Sequence, residues 1–286
     1  MSRIAIVTDS NSGITQKEAK ELGIFVVPMP FLIDEQECYE DITLTQEEFY
    51  HKLEGNATVS TSQPSMERLM KMWDRVLEEY DELLYIPMSS GLSGSCQTAS
   101  MLAKDYDGKV KVVDNQRISV TQRRSAEDAL EMARVGKSSE EIYNALMRTK
   151  LEASIYIMVD TLKYLRKGGR LTPAVAALGT ILRIKPVLQI QGEKLDTFAK
   201  ARTVKQGMNV MLDAMKKDVE ERFGGELDNL YIDIAHTENI AGAEELRTEI
   251  LKVYPKAKLR INPLSLSVSC HIGPGALAIA LAKKAE

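Results

Sequence analysis

Short apolar runs alternate with longer amphipathic segments through the first half of the chain. The short runs predict buried strands, whereas apolar residues that recur every three or four positions predict helices. Strands are predicted at residues 4–7, 24–27, 83–87 and 110–114, and helices at residues 45–53, 65–80, 95–103, 119–133 and 139–147, with one more beginning near Thr15. This alternation implies a largely parallel sheet with helices on both faces.

The second half opens with a new apolar run and continues with mixed elements. Strands are predicted at residues 154–159, 230–236 and 259–262, a hairpin at residues 186–198, and helices at residues 161–170, 172–182, 204–222, 241–253 and 274–283. A helix-rich stretch gives way to a strand near residue 150. We therefore predict two α/β domains, residues 1–150 with anion-binding Ser/Gly loops and residues 151–286.

The candidate chemistry begins with residues 89–95, which read Ser-Ser-Gly-Leu-Ser-Gly-Ser between a predicted strand and a predicted helix. A helix N-terminus offers unpaired N–H groups and the positive end of its dipole, and glycines let the backbone approach a ligand closely. The stretch therefore predicts a site for a carboxylate or a phosphate. A Ser-rich helix cap without any ligand explains the same residues.

More specific interpretations of this loop fail. It lacks the Gly-Lys-Ser/Thr ending of a P-loop, and it lacks the spacing of glycines in a nucleophile elbow. A second group of small hydroxyls, Thr61, Ser62 and Ser65, lies at the start of the predicted helix 65–80, where capping explains one of them. Asp9 and Ser10 follow the first strand, where polar residues of an α/β sheet commonly lie beside a binding crevice. Taken alone, they are better explained as residues that end the strand and cap the next helix.

Composition and charge narrow the class of protein. With 286 residues, 44% of them hydrophobic and 27% charged, the chain is typical of a soluble two-domain protein. A net charge of -4 gives no general attraction to nucleic acid or to an anionic membrane. The apolar run at the N-terminus is too short for a signal peptide, and no run is long enough to insert stably in a membrane.

Cysteines and histidines give no metal or cofactor site. Cys38, Cys96 and Cys270 are odd in number and widely separated, which argues against a disulfide framework and predicts a reducing, cytoplasmic location. None of the three histidines has metal-ligand spacing. His271, before a Gly-Pro-Gly turn, can point into a crevice or satisfy loop carbonyls. Arg170 follows two glycines, where the backbone can approach a ligand or another domain.

Several motifs occur in order over nearly the whole chain. They are Thr8-Asp9-Ser10, Thr61-Ser62-Gln63-Pro64-Ser65, residues 89–95, Leu165-Arg166-Lys167-Gly168-Gly169-Arg170, Ile184-Lys185-Pro186 and His271-Ile272-Gly273-Pro274-Gly275. In this order the motifs resemble the DegV-like fatty-acid-binding proteins of bacteria. The resemblance implies a two-domain α/β protein that binds a long-chain fatty acid between its domains. It also implies that the second domain covers the acyl chain, and that a separate ATP-dependent fatty acid kinase makes the acyl-phosphate for phospholipid synthesis.

The resemblance also implies roles for individual residues. Thr61 and Ser93 are expected to bind the carboxylate, with Ser62 in the same hydroxyl cluster and Gly94 offering its backbone N–H. His271 is expected to support this network, and Arg170 to lie near the head group. No residue is expected to be catalytic, because the chain is expected to act as a carrier for the kinase.

One segment departs from the family pattern. Many members carry small residues and glycines where this chain has residues 115–124, Asn-Gln-Arg-Ile-Ser-Val-Thr-Gln-Arg-Arg. This departure indicates a subgroup with a different acyl preference or a different partner. Two other functions stay open: a serine hydrolase or esterase that uses Ser93 as nucleophile and His271 as base, and a structural or regulatory protein whose serine loops are only caps.

Overall fold

A computed structural model describes residues 2–55, 57–170, 172–178 and 184–286 of the chain. The chain divides into two compact units. The first comprises Met1–Leu151, Ser265–Ser267 and Lys284–Glu286, and the second comprises Glu152–Leu264 and Val268–Lys283. A single border near residue 150 does not account for the two short C-terminal segments that belong to the first unit.

The first unit contains most of the predicted strand and helix alternation. Its strands are β1 (Ile4–Asp9), β2 (Phe25–Val27), β3 (Phe31–Ile33), β4 (Gln36–Cys38), β5 (Val59–Thr61), β6 (Glu82–Ile86) and β7 (Val110–Val112). Its helices are α1 (Gln16–Leu22), α2 (Gln46–Glu54), α3 (Met66–Leu77), α4 (Ser95–Leu102), α5 (Ser119–Arg134) and α6 (Ser139–Arg148). Thr15, Thr45 and Ser138 each begin a helix by a capping box with a glutamate three residues later.

A parallel sheet in the order β2-β1-β6-β7 forms the centre of this unit, which confirms the predicted architecture. Successive residues of β1 point to opposite faces: Ile6 packs in the cluster with α5 and α6, whereas Ala5 and Val7 pack in the cluster with α3 and α4. Helices therefore cover both faces. A separate antiparallel sheet, β4-β3-β5, was not predicted because its strands have only three residues each.

The second unit is built on a mostly antiparallel sheet. Its strands are β8 (Ala153–Met158), β9 (Lys185–Ile190), β10 (Leu195–Ala201), β11 (Leu230–His236), β12 (Leu259–Pro263) and β13 (Leu277–Lys283). Its helices are α7 (Lys163–Lys167), α8 (Pro173–Leu178), α9 (Val204–Glu221) and α10 (Ile240–Val253), and α11 (Leu266–Ile272) is divided between the units. The described strands lie in the order β10-β9-β8-β13-β11-β12, in which β11 and β12 are parallel. The predicted helix 172–182 corresponds in part to α8, and residues 179–182 lie outside the described residues.

The predicted closing helix at residues 274–283 is wrong, because this segment forms β13 in the interior of the sheet. It pairs antiparallel with both β8 and β11. Its sequence, Leu-Ala-Ile-Ala-Leu-Ala, has the period of two that a strand requires. Leu277, Ile279 and Leu281 belong to the core that α9 and α10 cover, and the intervening alanines are buried as well. Pairing on both sides outweighs the helix propensity of leucine and alanine.

Two further properties concern membrane spans and cysteines. In the described part of the chain, no helix combines the length and the apolar character needed to cross a membrane. Cys38, Cys96 and Cys270 are buried thiols that form no disulfide with one another.

Candidate functional site

The buried carboxylate of Asp9 stands at the carboxyl end of β1. Because β1 and β6 are parallel neighbours, Asp9 lies at the sheet edge where the chain leaves β6. Its Oδ2 accepts a hydrogen bond from the backbone N–H of Met88 (2.8 Å), and its Oδ1 accepts one from the N–H of Asn11 (2.9 Å). Burial raises the pKa of Asp9, and these hydrogen bonds oppose the rise. Asp9 thus ends the strand as predicted, but it caps the 3-10 turn at Ser10–Ser12, and Thr15 caps α1.

Protein acceptors hold successive N–H groups of the segment after β6, which we call the Ser/Gly loop (residues 87–95). After Met88, the N–H of Ser89 donates to the carbonyl of Arg117 (2.9 Å), and the N–H of Ser90 donates to Oδ1 of Asp114 (3.3 Å). The next three N–H groups, those of residues 91–93, donate to oxygens of Ser89. The path of the loop is therefore fixed by hydrogen bonds up to residue 93.

Gly94 differs from these residues. Its N–H has no hydrogen-bond acceptor within the part of the chain that the structure describes. A Cβ at Gly94 would approach only Oε1 of Gln63, at 3.9 Å, so the space beside its backbone is open. Gly94 is also the N-cap of α4, so its N–H lies at the positive end of a helix dipole. The N–H of Ser95 donates to Oγ of Ser93 (3.2 Å).

The second hydroxyl cluster has members on both sides of Gln63, whose side chain lies beside the start of α4. Thr61, which is half-buried, is the last residue of β5, and the exposed Ser62 follows it. Next along the chain, Gln63 accepts a hydrogen bond from Oγ1 of Thr98 on α4 (3.1 Å) and is the side chain nearest to a Cβ at Gly94. Ser65 caps α3 by accepting from the N–H of Arg68 (3.2 Å), as capping predicts. Thr61, Ser62, Ser93 and Gly94 therefore belong to one region of the first unit.

Arg170 and His271, the other two predicted site residues, come together in the second unit. Gly168, the C-cap of α7, lies against the imidazole: a Cβ there would be 2.0 Å from Nδ1 of His271. The guanidinium of Arg170 donates to the carbonyl of the same Gly168 (2.7 Å). Burial lowers the pKa of His271 to about 4, and the positive charge of Arg170 contributes to the decrease. His271 is therefore neutral at neutral pH.

Two features weigh against the hydrolase hypothesis. A nucleophile elbow places its serine in a strained strand-to-helix turn, but Ser93 does not have a positive φ. A histidine with a pKa of about 4 takes up a proton poorly near pH 7, whereas an efficient general base has a pKa near the working pH. Among the described residues, no group of three His, Cys, Asp or Glu side chains is placed to hold a metal ion.

Several residues that shape this region were not predicted. For Asp9 the sequence favours an end-of-strand and capping role over a place beside a binding crevice, and Gln63 appears only as a member of a motif. The available signal was topological: parallel neighbouring strands bring their carboxyl ends to one edge, so polar residues after β1 and after β6 are expected to meet. Glu40, a half-buried residue of the first unit, had no sequence signal. It accepts from the N–H of Leu266 (2.9 Å) and from Nε2 of Gln46 (2.7 Å), and burial raises its pKa to about 7.

Comparison with known proteins shows similarity over the full fold. The family model described as "Uncharacterised protein, DegV family" matches residues 3–284. A DegV domain-containing protein of Deinococcus radiodurans is 30% identical over 97% of this chain and 98% of its own. The structure of a DegV family protein from Thermus thermophilus, described by its fatty acid binding, has a TM-score of 0.90 at 29% identity and covers 98% of this chain and 99% of that one. DegV of Bacillus subtilis, described as a fatty acid binding protein, has a TM-score of 0.88 at 27% identity over 99% and 100% of the two chains.

The contact between Gly168 and the His271 ring gives a direct test of this arrangement. We expect Gly168→Ala to displace the imidazole, because the new methyl group would overlap Nδ1. The displaced ring gains solvent, so the pKa of His271 should rise from about 4 toward an ordinary value of about 6.5. The measurement is an NMR titration of the histidine ring protons.

Gly169→Ala is the matched control. Gly169 has a φ of +68° but no atom within 4 Å of its Cβ position. That substitution should therefore cost about 1–2 kcal/mol of backbone strain and leave the pKa of His271 near its original value. A folded Gly168→Ala protein with an unchanged His271 pKa would contradict the contact.

Proposed function

Because the chain belongs to the DegV family, we propose that it binds a long-chain fatty acid with the carboxylate at the Ser/Gly loop. In this proposal the hydroxyls of Thr61 and Ser93 and the N–H of Gly94 donate to the carboxylate, and Ser62 belongs to the same cluster. The observation that carries the proposal is the hydrogen bonding of the loop. The six N–H groups before Gly94 have protein acceptors, whereas the N–H of Gly94 has none in the described chain.

The bonding of Ser93 suits a donor role. Its Oγ accepts from the N–H of Ser95, so the hydroxyl proton stays available to donate to a ligand oxygen. Neutral hydroxyl and amide donors orient a carboxylate without neutralising its charge. A bidentate arginine would hold the carboxylate more strongly and is less suited to a head group that must react afterwards.

The acyl chain supplies most of the affinity in this proposal. Burial of one methylene contributes about 0.8 kcal/mol, so about fifteen methylenes contribute on the order of 12 kcal/mol before the costs of binding. The polar site then has to fix the direction of the fatty acid rather than its affinity. Arg170 and His271 remain predicted ligand-binding residues.

We further propose that the chain is a carrier and not itself an enzyme. It presents the carboxylate to a separate ATP-dependent fatty acid kinase in the cytoplasm, which makes the acyl-phosphate, and it needs no cofactor or metal of its own. Lys163, Arg166, Lys167 and Arg170 support this step, because all four are exposed on or just after α7. An acyl-phosphate carries more negative charge than a carboxylate, and a basic surface favours both that product and an acidic partner.

Native mass spectrometry of the protein purified from cells tests the binding function. We expect a co-purified long-chain fatty acid, and we expect delipidated protein to bind added oleate. A fatty acid of about six carbons is the control and should not bind detectably, because each missing methylene removes about 0.8 kcal/mol. Repeated recovery of ligand-free protein that also fails to bind oleate would refute the proposal.

The carboxylate site is tested by Ser93→Ala and Thr61→Ala. Each variant should weaken oleate binding and leave the fold intact, since a hydrogen bond to a charged group contributes about 1.5–3 kcal/mol, or about ten- to a hundredfold in Kd. Isothermal titration calorimetry measures the change. Ser90→Ala, an exposed serine of the same loop, is the matched control and should bind like the parent.

Two outcomes would count against this site. Parental affinity in both Ser93→Ala and Thr61→Ala would place the head group elsewhere. Turnover of a simple ester by the purified protein, lost in Ser93→Ala, would favour the hydrolase hypothesis instead.

Arg170→Ala separates binding from presentation. We expect oleate affinity to stay within a few-fold of the parent, because Thr61, Ser93 and Gly94 hold the carboxylate. Acyl-phosphate formation by a cognate fatty acid kinase should slow, since the exposed guanidinium no longer favours the more highly charged product. Both quantities are measured on one preparation.

Arg247→Ala on α10 is the matched control, since Arg247 is an exposed arginine of the same unit. It should change neither quantity. Full kinase-coupled activity in Arg170→Ala would refute its role in presentation. A lower melting temperature in Arg170→Ala alone would assign Arg170 a structural role.

A further inference from the structure

The side chain of Gln122 on α5 donates a hydrogen bond to the buried carboxylate of Asp9, which in turn accepts from the Ser/Gly loop. The side chain is completely buried, and its Nε2 is 3.1 Å from each of three oxygens: Oδ1 of Asp9, Oγ1 of Thr8 and the carbonyl of Ile86. The last two belong to the ends of β1 and β6. Gln122 therefore joins α5 to the two strand ends between which the loop begins.

No cation accompanies Asp9 among the described residues that shift its pKa. Burial raises that pKa, and N–H donors from Met88, Gln122 and Asn11 lower it. The other titratable groups coupled to Asp9 are Tyr85 of β6 and Cys96 of α4, and burial raises the pKa of both, so they remain neutral.

The charged side chains that follow Gln122 on α5 are engaged in other ion pairs. Arg123 pairs with Glu18 (2.8 Å) and with Glu127 (3.0 Å), and Arg124 pairs with Glu127 (3.1 Å). The ionised form of Asp9 therefore depends on neutral hydrogen-bond donors, and Gln122 is the donor that α5 supplies.

We propose that Gln122 is a positioning residue of the carboxylate site. By donating to Oδ1 of Asp9 it keeps Oδ2 directed at the N–H of Met88, and so it holds the Ser/Gly loop in the geometry that leaves the N–H of Gly94 open. This inference rests on the proposed function. It also gives the unusual segment 115–124 a role within the chain. The backbone carbonyl of Arg117 in that segment accepts a hydrogen bond from the N–H of Ser89, the loop residue that follows Met88.

Two near-isosteric variants should respond to pH in opposite directions. Gln122→Met removes a donor from Asp9, so the pKa of Asp9 rises further and the carboxylate protonates sooner as the pH falls. Its oleate affinity should therefore weaken toward acid pH. Gln122→Glu places two carboxyl groups together, and they share one proton until the pH is raised. Its affinity should weaken toward alkaline pH, when both groups are charged.

The experiment measures the Kd for oleate from about pH 5 to about pH 9 and reports each variant's Kd relative to the parent's at the same pH. This ratio cancels the ionisation of oleate itself, and His271 stays neutral over the range because its pKa is about 4. We expect Gln122→Met to bind about fivefold more weakly than the parent at neutral pH, with a larger deficit in acid. Gln36→Met and Gln36→Glu, at an exposed position of β4, are the controls and should give ratios near one throughout.

Ratios that are flat with pH, or that move in the same direction for both variants, would overturn the inference while leaving the proposed function intact. A parent protein that binds no oleate at any pH would overturn the proposed function and the inference together. Thermal melting at each pH identifies variants that do not fold. If Gln122→Met does not fold, the pH series of Gln122→Glu alone tests the inference. For a folded Gln122→Glu protein, the positioning role predicts an oleate affinity that falls as the pH rises.

Discussion

The candidate site depends on one constraint, the need to satisfy the buried carboxylate of Asp9, whose pKa no cation among the described residues lowers. An unpaired buried charge costs several kcal/mol, so Asp9 must collect hydrogen-bond donors from the surrounding chain. The donors come from three separated segments, at Asn11, Met88 and Gln122. Satisfying Asp9 therefore fixes where the chain runs after β6. The open N–H of Gly94, which follows this segment, is therefore positioned by a carboxylate of the protein itself.

Close packing plays the corresponding part in the second unit. Gly168 and Gly273 belong to two of the sequence motifs, and each lies where a ring leaves no room for a side chain. A Cβ at Gly168 would meet the imidazole of His271, and one at Gly273, whose φ is +76°, would lie 2.2 Å from the ring of Tyr164. The absence of a side chain at Gly168 lets His271 pack in a partly buried position, and burial keeps the imidazole neutral. The first unit thus offers neutral hydroxyl and N–H donors, whereas the second unit places a neutral imidazole beside the charged Arg170.

The sequence predicted the local elements well, and its failures have a common cause. The parallel sheet and the helices around it follow from hydrophobic periodicity, and residues 61–65 and 89–95 were identified from hydroxyls and glycines at helix starts. The helix predicted at residues 274–283 was wrong because pairing of β13 with β8 and β11 is decided by segments distant in sequence. Gln122 could be noticed only as a departure from the family pattern. Its contact with Asp9 spans 113 residues, and no local pattern records such a contact.

The rigidity of the Ser/Gly loop explains how weak donors can be sufficient. Ordering one residue costs about 1–2 kcal/mol of conformational entropy, so a flexible loop would lose on binding much of what its hydrogen bonds gain. Here the N–H groups of residues 88–93 are already held by Asp9, Arg117, Asp114 and Ser89, so that cost is met when the chain folds. The few remaining donors can then orient a carboxylate without help from a positive charge, and the acyl chain can supply the affinity. In the proposed carrier function, this separation of orientation from affinity leaves the head group accessible to chemistry on a partner protein.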